Sequence, residues 1–186
     1  VENIIRSEKI SQEEAIRFIQ NDMLDIYDVH AGFLSPAKYP FVQPLHYPNG
    51  VIIYPPADIH PAAKIGDSVI IGRYTNICGD ITIGEKTRIQ GFCFIPDCVE
   101  IGKRVFIGPG VVFTNVKYPS ATQDRDRKRD GKIVIEDFAS IGAGAVICPN
   151  VRIGSGALIG AGAIVTKDVP PNTVVTGGPA KFFKEI

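Results

Sequence analysis

The chain has 186 residues, with 20 basic and 20 acidic side chains and a formal net charge of zero. That balance argues against bulk attraction to nucleic acid or to a membrane surface. No apolar run is long enough to span a bilayer and no secretory signal precedes the repeats, so a cytoplasmic setting with reduced thiols is expected.

Residues 1–50 read as a first segment, a short helix followed by an extended arm. Ser11 and Glu14 have the spacing of a helix N-terminal capping box. Ala15, Ile16, Phe18, Ile19 and Leu24 then supply an apolar face. Pro36, Pro40, Pro44 and Pro48 enforce extended or turning backbone. The arm is expected to cover the first coil of the repeat region, because an open sheet end exposes unpaired strand edges. The alternative is a fragment of a further domain; the start at Val1 leaves room for an upstream segment.

Residues 51–186 carry a period of six. Aliphatic residues recur from Ile53 through Ile59, Ile65 and Ile71 to Ile107, with Phe113 continuing the series; the beat restarts at Ile135 and runs to Ile159 and Val165. Neither an α-helix nor a hairpin sheet has this period. Three six-residue steps close one triangular coil of 18 residues, and coils stack about 4.8 Å apart. The slot four residues after each beat is small or β-branched, as at Ala63, Val69, Thr75, Cys93, Val111, Ala145 and Ala163, which fits the corners of a narrow interior. Glycine often follows the beat, and its conformational freedom suits tight corners. A β-sandwich would not hold the period unbroken. Cys78, Cys93, Cys98 and Cys148 lack a metal-ligand spacing.

The beat breaks over an inserted loop, 115–132, which carries Tyr118-Pro119 and a charged run from Asp124 to Gly131. Loops that project from a scaffold are common sites of function; a merely solvated loop is the alternative for the charged run. Asp168-Val169-Pro170-Pro171-Asn172 ends the repeat, and Lys181 to Ile186 reads as a short terminal cap.

The glycine-rich hexads, the stretch Gly160-Ala161-Gly162-Ala163-Ile164-Val165-Thr166-Lys167-Asp168-Val169-Pro170-Pro171 and the Gly178-Pro179-Ala180 turn resemble the hexapeptide acyltransferase superfamily. The stretch Ile107-Gly108-Pro109-Gly110-Val111-Val112-Phe113-Thr114-Asn115-Val116-Lys117-Tyr118-Pro119 is similar to the nucleotide-sugar 3-N-acetyltransferases. The resemblance spans roughly residues 55–183. It implies an all-β fold, a left-handed parallel β-helix of hexapeptide repeats, assembled as a homotrimer. It also implies acetyl-CoA as co-substrate and a UDP- or dTDP-linked amino sugar as acceptor. Two departures bear on the sugar: Ser120 stands where the family commonly has Arg, and residues 1–50 lie outside the pattern.

Acetyl transfer to an amine needs a neutral, aimed amine, donors for the tetrahedral oxyanion, and a final proton acceptor. His30, His46 and His60 all precede Ile65, the third beat of the coil. A histidine base near the break is therefore not expected, which favours an amine over a hydroxyl acceptor. Asp97 and Asn115 are 18 residues apart and should stack at one corner of successive coils. The resemblance implies that Asn115 orients the amine, the alternative being a structural ladder asparagine; Asp97 shares that task or accepts a proton, or is a turn residue after Pro96. Tyr118 and Arg88 are substrate-binding candidates. For CoA the resemblance implies backbone contacts near Gly142, Ala143 and Ala161, with Lys167 and Lys181 on its phosphates. A Gly142 amide is a candidate oxyanion donor. No metal is expected; a carbonic-anhydrase zinc site on this scaffold would need three histidines. The competing readings are an O-acetyltransferase and a non-catalytic trimeric scaffold.

Overall fold

The computed structural model describes residues 44–121, 131–179 and 181–185. The expected helix of the first segment lies outside them, as does the charged run from Asp124 to Asp130. The described residues fall in one compact unit, Pro44–Ile186. Every element among them is a strand, and nearly all are two residues long.

The strands stack into three parallel sheets that form the faces of a prism. Face one begins with β1 (Leu45–His46) and β2 (Ile52–Ile53) and continues through β5 (Ile70–Ile71), β8 (Arg88–Ile89), β11 (Phe106–Ile107), β14 (Ser140–Ile141) and β17 (Leu158–Ile159) to β19 (Thr173–Thr176) and β20 (Lys181–Glu185). Face two holds β3 (Asp58–Ile59), β6 (Asn76–Ile77), β9 (Phe94–Ile95), β12 (Val112–Phe113), β15 (Val146–Ile147) and β18 (Ile164–Val165). Face three holds β4 (Lys64–Ile65), β7 (Thr82–Ile83), β10 (Val99–Ile101), β13 (Ile133–Ile135) and β16 (Arg152–Ile153).

The beat is the core. Ile71, Ile89, Ile95, Phe113, Ile141 and Ile159 are each fully buried, and the small slot residues fill the inner corners beside them. Two of those slots are threonines. Their hydroxyls donate to backbone carbonyls, Thr75 to Gln90 at 3.0 Å and Thr87 to Gly102 at 2.8 Å, which is what a buried hydroxyl requires. Cys93 is likewise core: burial pushes its thiol up and keeps it unreactive.

The glycines after the beat work differently from the sequence expectation. They do not carry the left-handed conformation. That conformation sits two residues later, and among the described residues nine that are not glycine hold it, including Tyr74, Phe92, Arg104 and Phe138. The beat glycines are needed because the next coil lies against them. A Cβ on Gly142 would stand 2.5 Å from the Ala161 nitrogen, and one on Gly108 2.7 Å from the Ala143 nitrogen.

Register marks two irregularities. Ile53 pairs with Ile71 and Ile71 with Ile89, 18 residues on each time. Val99 instead pairs with Ile133, so the loop adds 16 residues to one coil. Leu158 pairs with Val174, so the last coil is two residues short. Both ends of face one are closed by antiparallel strands, β1 on β2 and β20 on β19. The first strand therefore begins at Leu45, inside the segment expected to be arm, and the β20 hairpin is the C-terminal cap.

Outward residues differ between faces. Face one presents Ile52, Ile70, Phe106 and Leu158 beside Arg88 and Ser140, and face two Phe94, Val112, Val146 and Ile164 beside Asp58 and Asn76. Face three presents Lys64, Thr82, Glu100 and Arg152, with ion pairs Lys132–Glu100 at 2.7 Å and Arg152–Glu136 at 2.8 Å.

Candidate active site

The inserted loop leaves the coil at the corner between faces two and three. Register places Gly79, Asp97, Asn115 and Pro149 at equivalent positions of that corner, because β6 pairs β9, β9 pairs β12 and β12 pairs β15. Asp97 and Asn115 thus occupy successive coils of one edge. The loop is pinned at its base: the Gly131 nitrogen donates to the Asn115 carbonyl at 2.7 Å, and the Thr114 nitrogen donates to the Ile147 carbonyl at 2.9 Å. Gly131 has to be small, since a Cβ there would meet Pro149 at 2.6 Å.

Asn115 is 8% exposed, and its side-chain Nδ2 is buried without a hydrogen-bond partner. Such an orphaned donor is uncommon, because leaving it unmet costs about 1–3 kcal/mol. The equivalent positions on the other coils are Pro61, Gly79, Asp97, Pro149 and Lys167, so coil geometry does not demand an amide there. The Asp97 carboxyl leans over Gly79, on the preceding coil; a Cβ on Gly79 would stand 2.6 Å from Asp97 Oδ1. Tyr118 is 79% exposed at the start of the loop, with the Lys117 ammonium 5.4 Å from its ring centre. Lys167 is exposed on the same edge, where the last coil is shortened. His60 is also on this edge but three coils from Thr114, about 14 Å at ordinary interstrand spacing.

The corner between faces one and two is built of backbone. Gly142, Ala143, Gly144, Ala161 and Gly162 lie there on the last two full coils, and Gly110 on the coil before them. Gly110, Gly144 and Gly162 hold φ of 69°, 66° and 68°, and no atom lies within 4 Å of where their side chains would start. On earlier coils the same corner carries Tyr74 and Phe92, stacked at 5.0 Å and well exposed. Lys181, paired with Thr176 across the cap hairpin, stands at the far end of this corner. An extended thiol-bearing arm has clearance here. The Gly142 amide, however, already donates to the Ile159 carbonyl at 2.8 Å. It is not free to meet an oxyanion, which corrects the sequence expectation.

The structure therefore gathers Asp97, Asn115, Tyr118 and Lys167 on one edge and Gly142, Ala143, Ala161 and Lys181 on another. Arg88 joins neither; it points outward from the middle of face one, between Ile70 and Phe106. A groove of about 620 Å³ lies elsewhere again, on face three between Thr82, Glu100, Val134 and Ser155. Sequence reasoning missed Gly79 and Gly131, whose signal is a glycine away from the beat and opposite a functional candidate. Among the described residues, no group of three His, Cys, Asp or Glu side chains is placed to hold a metal ion.

A coil of this period, with an open backbone corner and a loop-bearing polar corner, defines a class before it defines a substrate. The bacterial transferase hexapeptide pattern (six repeats) matches residues 62–97, 80–115 and 132–167. The chain belongs to that hexapeptide-repeat family, and its coil is the left-handed β-helix expected from the sequence.

A Staphylococcus aureus 2,3,4,5-tetrahydropyridine-2,6-dicarboxylate N-acetyltransferase is 46% identical over 84 residues, covering 45% of this chain and 32% of the relative. A galactoside acetyltransferase solved in complex with coenzyme A is 33% identical, covers 67% of this chain and 65% of its own, and has a TM-score of 0.55. The fold alone is shared with AntD, an N-acyltransferase from Bacillus cereus solved with dTDP and 3-hydroxybutyryl-CoA. That match has 22% identity and a TM-score of 0.65, over 73% of this chain and 80% of that one. The chain spans about half or less of the length of the curated relatives it matches. No helix among the described residues is long and apolar enough to cross a membrane.

Proposed function

We propose that the protein is an acetyltransferase that moves acetyl from acetyl-CoA to the amino group of a UDP- or dTDP-linked amino sugar. The observation that carries the reading is Asn115: a buried, unpartnered amide at the base of the inserted loop, one coil from Asp97. The nucleotide-sugar class rests on the Ile107–Pro119 motif, whose last residues are that loop base. Tyr118 contacts the sugar or base. CoA lies along the open corner at Gly142, Ala143 and Ala161, with Lys181 of the same edge and Lys167 from the loop edge of a neighbouring copy toward its phosphates. Arg88, outward on face one, reaches a substrate phosphate from a neighbouring copy.

The two edges of one protomer are separated by the width of face two, roughly 16 Å of extended chain. A homotrimer resolves this, because the CoA edge of one copy can face the loop edge of the next. The half-exposed Phe94, Phe106, Leu158 and Ile164 on faces one and two supply apolar surface for such packing.

The test has two steps. Thermal stabilisation by coenzyme A comes first, since a ligand that binds the folded state raises its midpoint. Thiol release is then followed with a panel of UDP- and dTDP-amino sugars and their hydroxyl counterparts. Absence of stabilisation by excess CoA supports a non-catalytic scaffold. Turnover with hydroxyl acceptors alone supports O-acetyl transfer, the second reading, which the 31% identity to a maltose O-acetyltransferase from Clostridium difficile favours.

A further inference from the structure

We infer that the Asn115 amide is a two-armed template for the reaction, its oxygen accepting from the attacking amine while its N–H donates to the acyl oxygen. The inference rests on the N-acetyl transfer proposed above and assigns a second arm to a residue expected only to hold the amine. Four observations converge on it. The orphaned atom of Asn115 is the donor, Nδ2, so the side chain lacks an acceptor and not a second donor. The backbone on both sides is fixed, through the Thr114 nitrogen to Ile147 and the Asn115 carbonyl to Gly131. The coil amide suggested for the oxyanion, that of Gly142, is already engaged with Ile159. The Asp97 carboxyl lies toward Gly79 on the preceding coil, so it supplies no donor to the acyl oxygen.

Covalent geometry makes the match. In the tetrahedral intermediate the amine nitrogen and the oxyanion are both bonded to one carbon. In an asparagine side chain Oδ1 and Nδ2 are likewise both bonded to one carbon. The two pairs can face each other through two parallel hydrogen bonds, as in an amide dimer. Nδ2 is covered in the free chain, but the residue keeps 8% of its surface exposed. The terminal torsion of an asparagine is soft, so a swing of the amide presents the N–H to a ligand on the edge.

The step balances. The amine lone pair forms the C–N bond while the carbonyl π pair moves to oxygen, where Nδ2–H meets it. Collapse of the intermediate restores C=O and breaks C–S. The thiolate leaves with the electron pair and takes the proton lost by nitrogen, directly or through water. The products are the N-acetyl sugar and CoA thiol.

The test replaces the donor while keeping an acceptor. Asn115→Asp should lower kcat by about 10²-fold or more, the usual cost of one oxyanion donor, with the amine KM changed by no more than about threefold. Its activity relative to wild type at the same pH should rise as the pH falls, because a protonated carboxyl regains a donor. Asn115→Ser, which keeps an O–H, should retain more activity than Asn115→Asp, and CoA-induced stabilisation verifies that each variant folds. Equal or greater kcat in Asn115→Asp than in Asn115→Ser overturns the inference and leaves the proposed function standing. A wild-type chain that binds CoA yet releases no thiol with any amine overturns both.

Discussion

Two edges of the same prism have opposite construction. The edge between faces two and three carries side-chain chemistry: Asp97 leaning on Gly79, Asn115 with an unmet donor, and a loop anchored through Gly131. The edge between faces one and two is nearly bare backbone over its last three full coils, with Gly110, Gly144 and Gly162 open to solvent. The coil itself does not dictate the bareness, since Tyr74 and Phe92 hold the same left-handed position on earlier coils. One edge is thus specialised for polar contact and the other for clearance. Bringing an amine to a thioester requires both.

The comparison breaks most severely at Gly142. Gly142→Val drives a side chain into the Ala161 backbone and should cost about 3 kcal/mol of stability, read by denaturant unfolding. The neighbouring open position separates clearance from fold. Gly162→Phe copies Phe92 and should cost only about 1 kcal/mol, yet abolish the roughly 2.7 kcal/mol of stabilisation expected from CoA at a hundredfold excess over Kd. At the polar edge, Asp97→Asn keeps the shape and removes the charge. It should lower kcat/KM about tenfold if the carboxylate only holds the amine. Retained turnover excludes Asp97 as an essential base.

The smallest effect lies on face three, away from both edges. The hydrogen bond from Arg152, and then that from the Ser155 nitrogen, hold the Glu136 carboxyl below its usual range. A depressed carboxylate contributes stability above its unfolded pKa and loses it as the pH falls through the folded one. Arg152→Gln should therefore flatten the decline of the thermal midpoint with acidification below about pH 4.5 without changing turnover.

Much of the scaffold was legible because its code is local. A large aliphatic every six residues and a small residue four later specify inward positions at Ile71, Ile89, Val111 or Ala145 with no knowledge of neighbours. The glycines after the beat were equally legible, but for the wrong reason. Their role is close approach by the next coil, and that requires knowing which coil comes next. The site was partly legible. A spacing of 18 put Asp97 and Asn115 on one edge, whereas Arg88, chosen for its charge alone, stands in the middle of face one.

The sequence by itself determined the coil, its core and the place where the coil is interrupted, because side-chain volume at a fixed period decides each of these. Only the tertiary structure decided which groups remain available. Register across a 16-residue insertion and a two-residue deletion cannot be read from any one hexad. Whether a donor is engaged, as at Gly142, or left unmet, as at Asn115, depends on the atoms of adjacent coils. Hydrogen bonds are satisfied between coils, so the chemistry of this edge is a property of the stack.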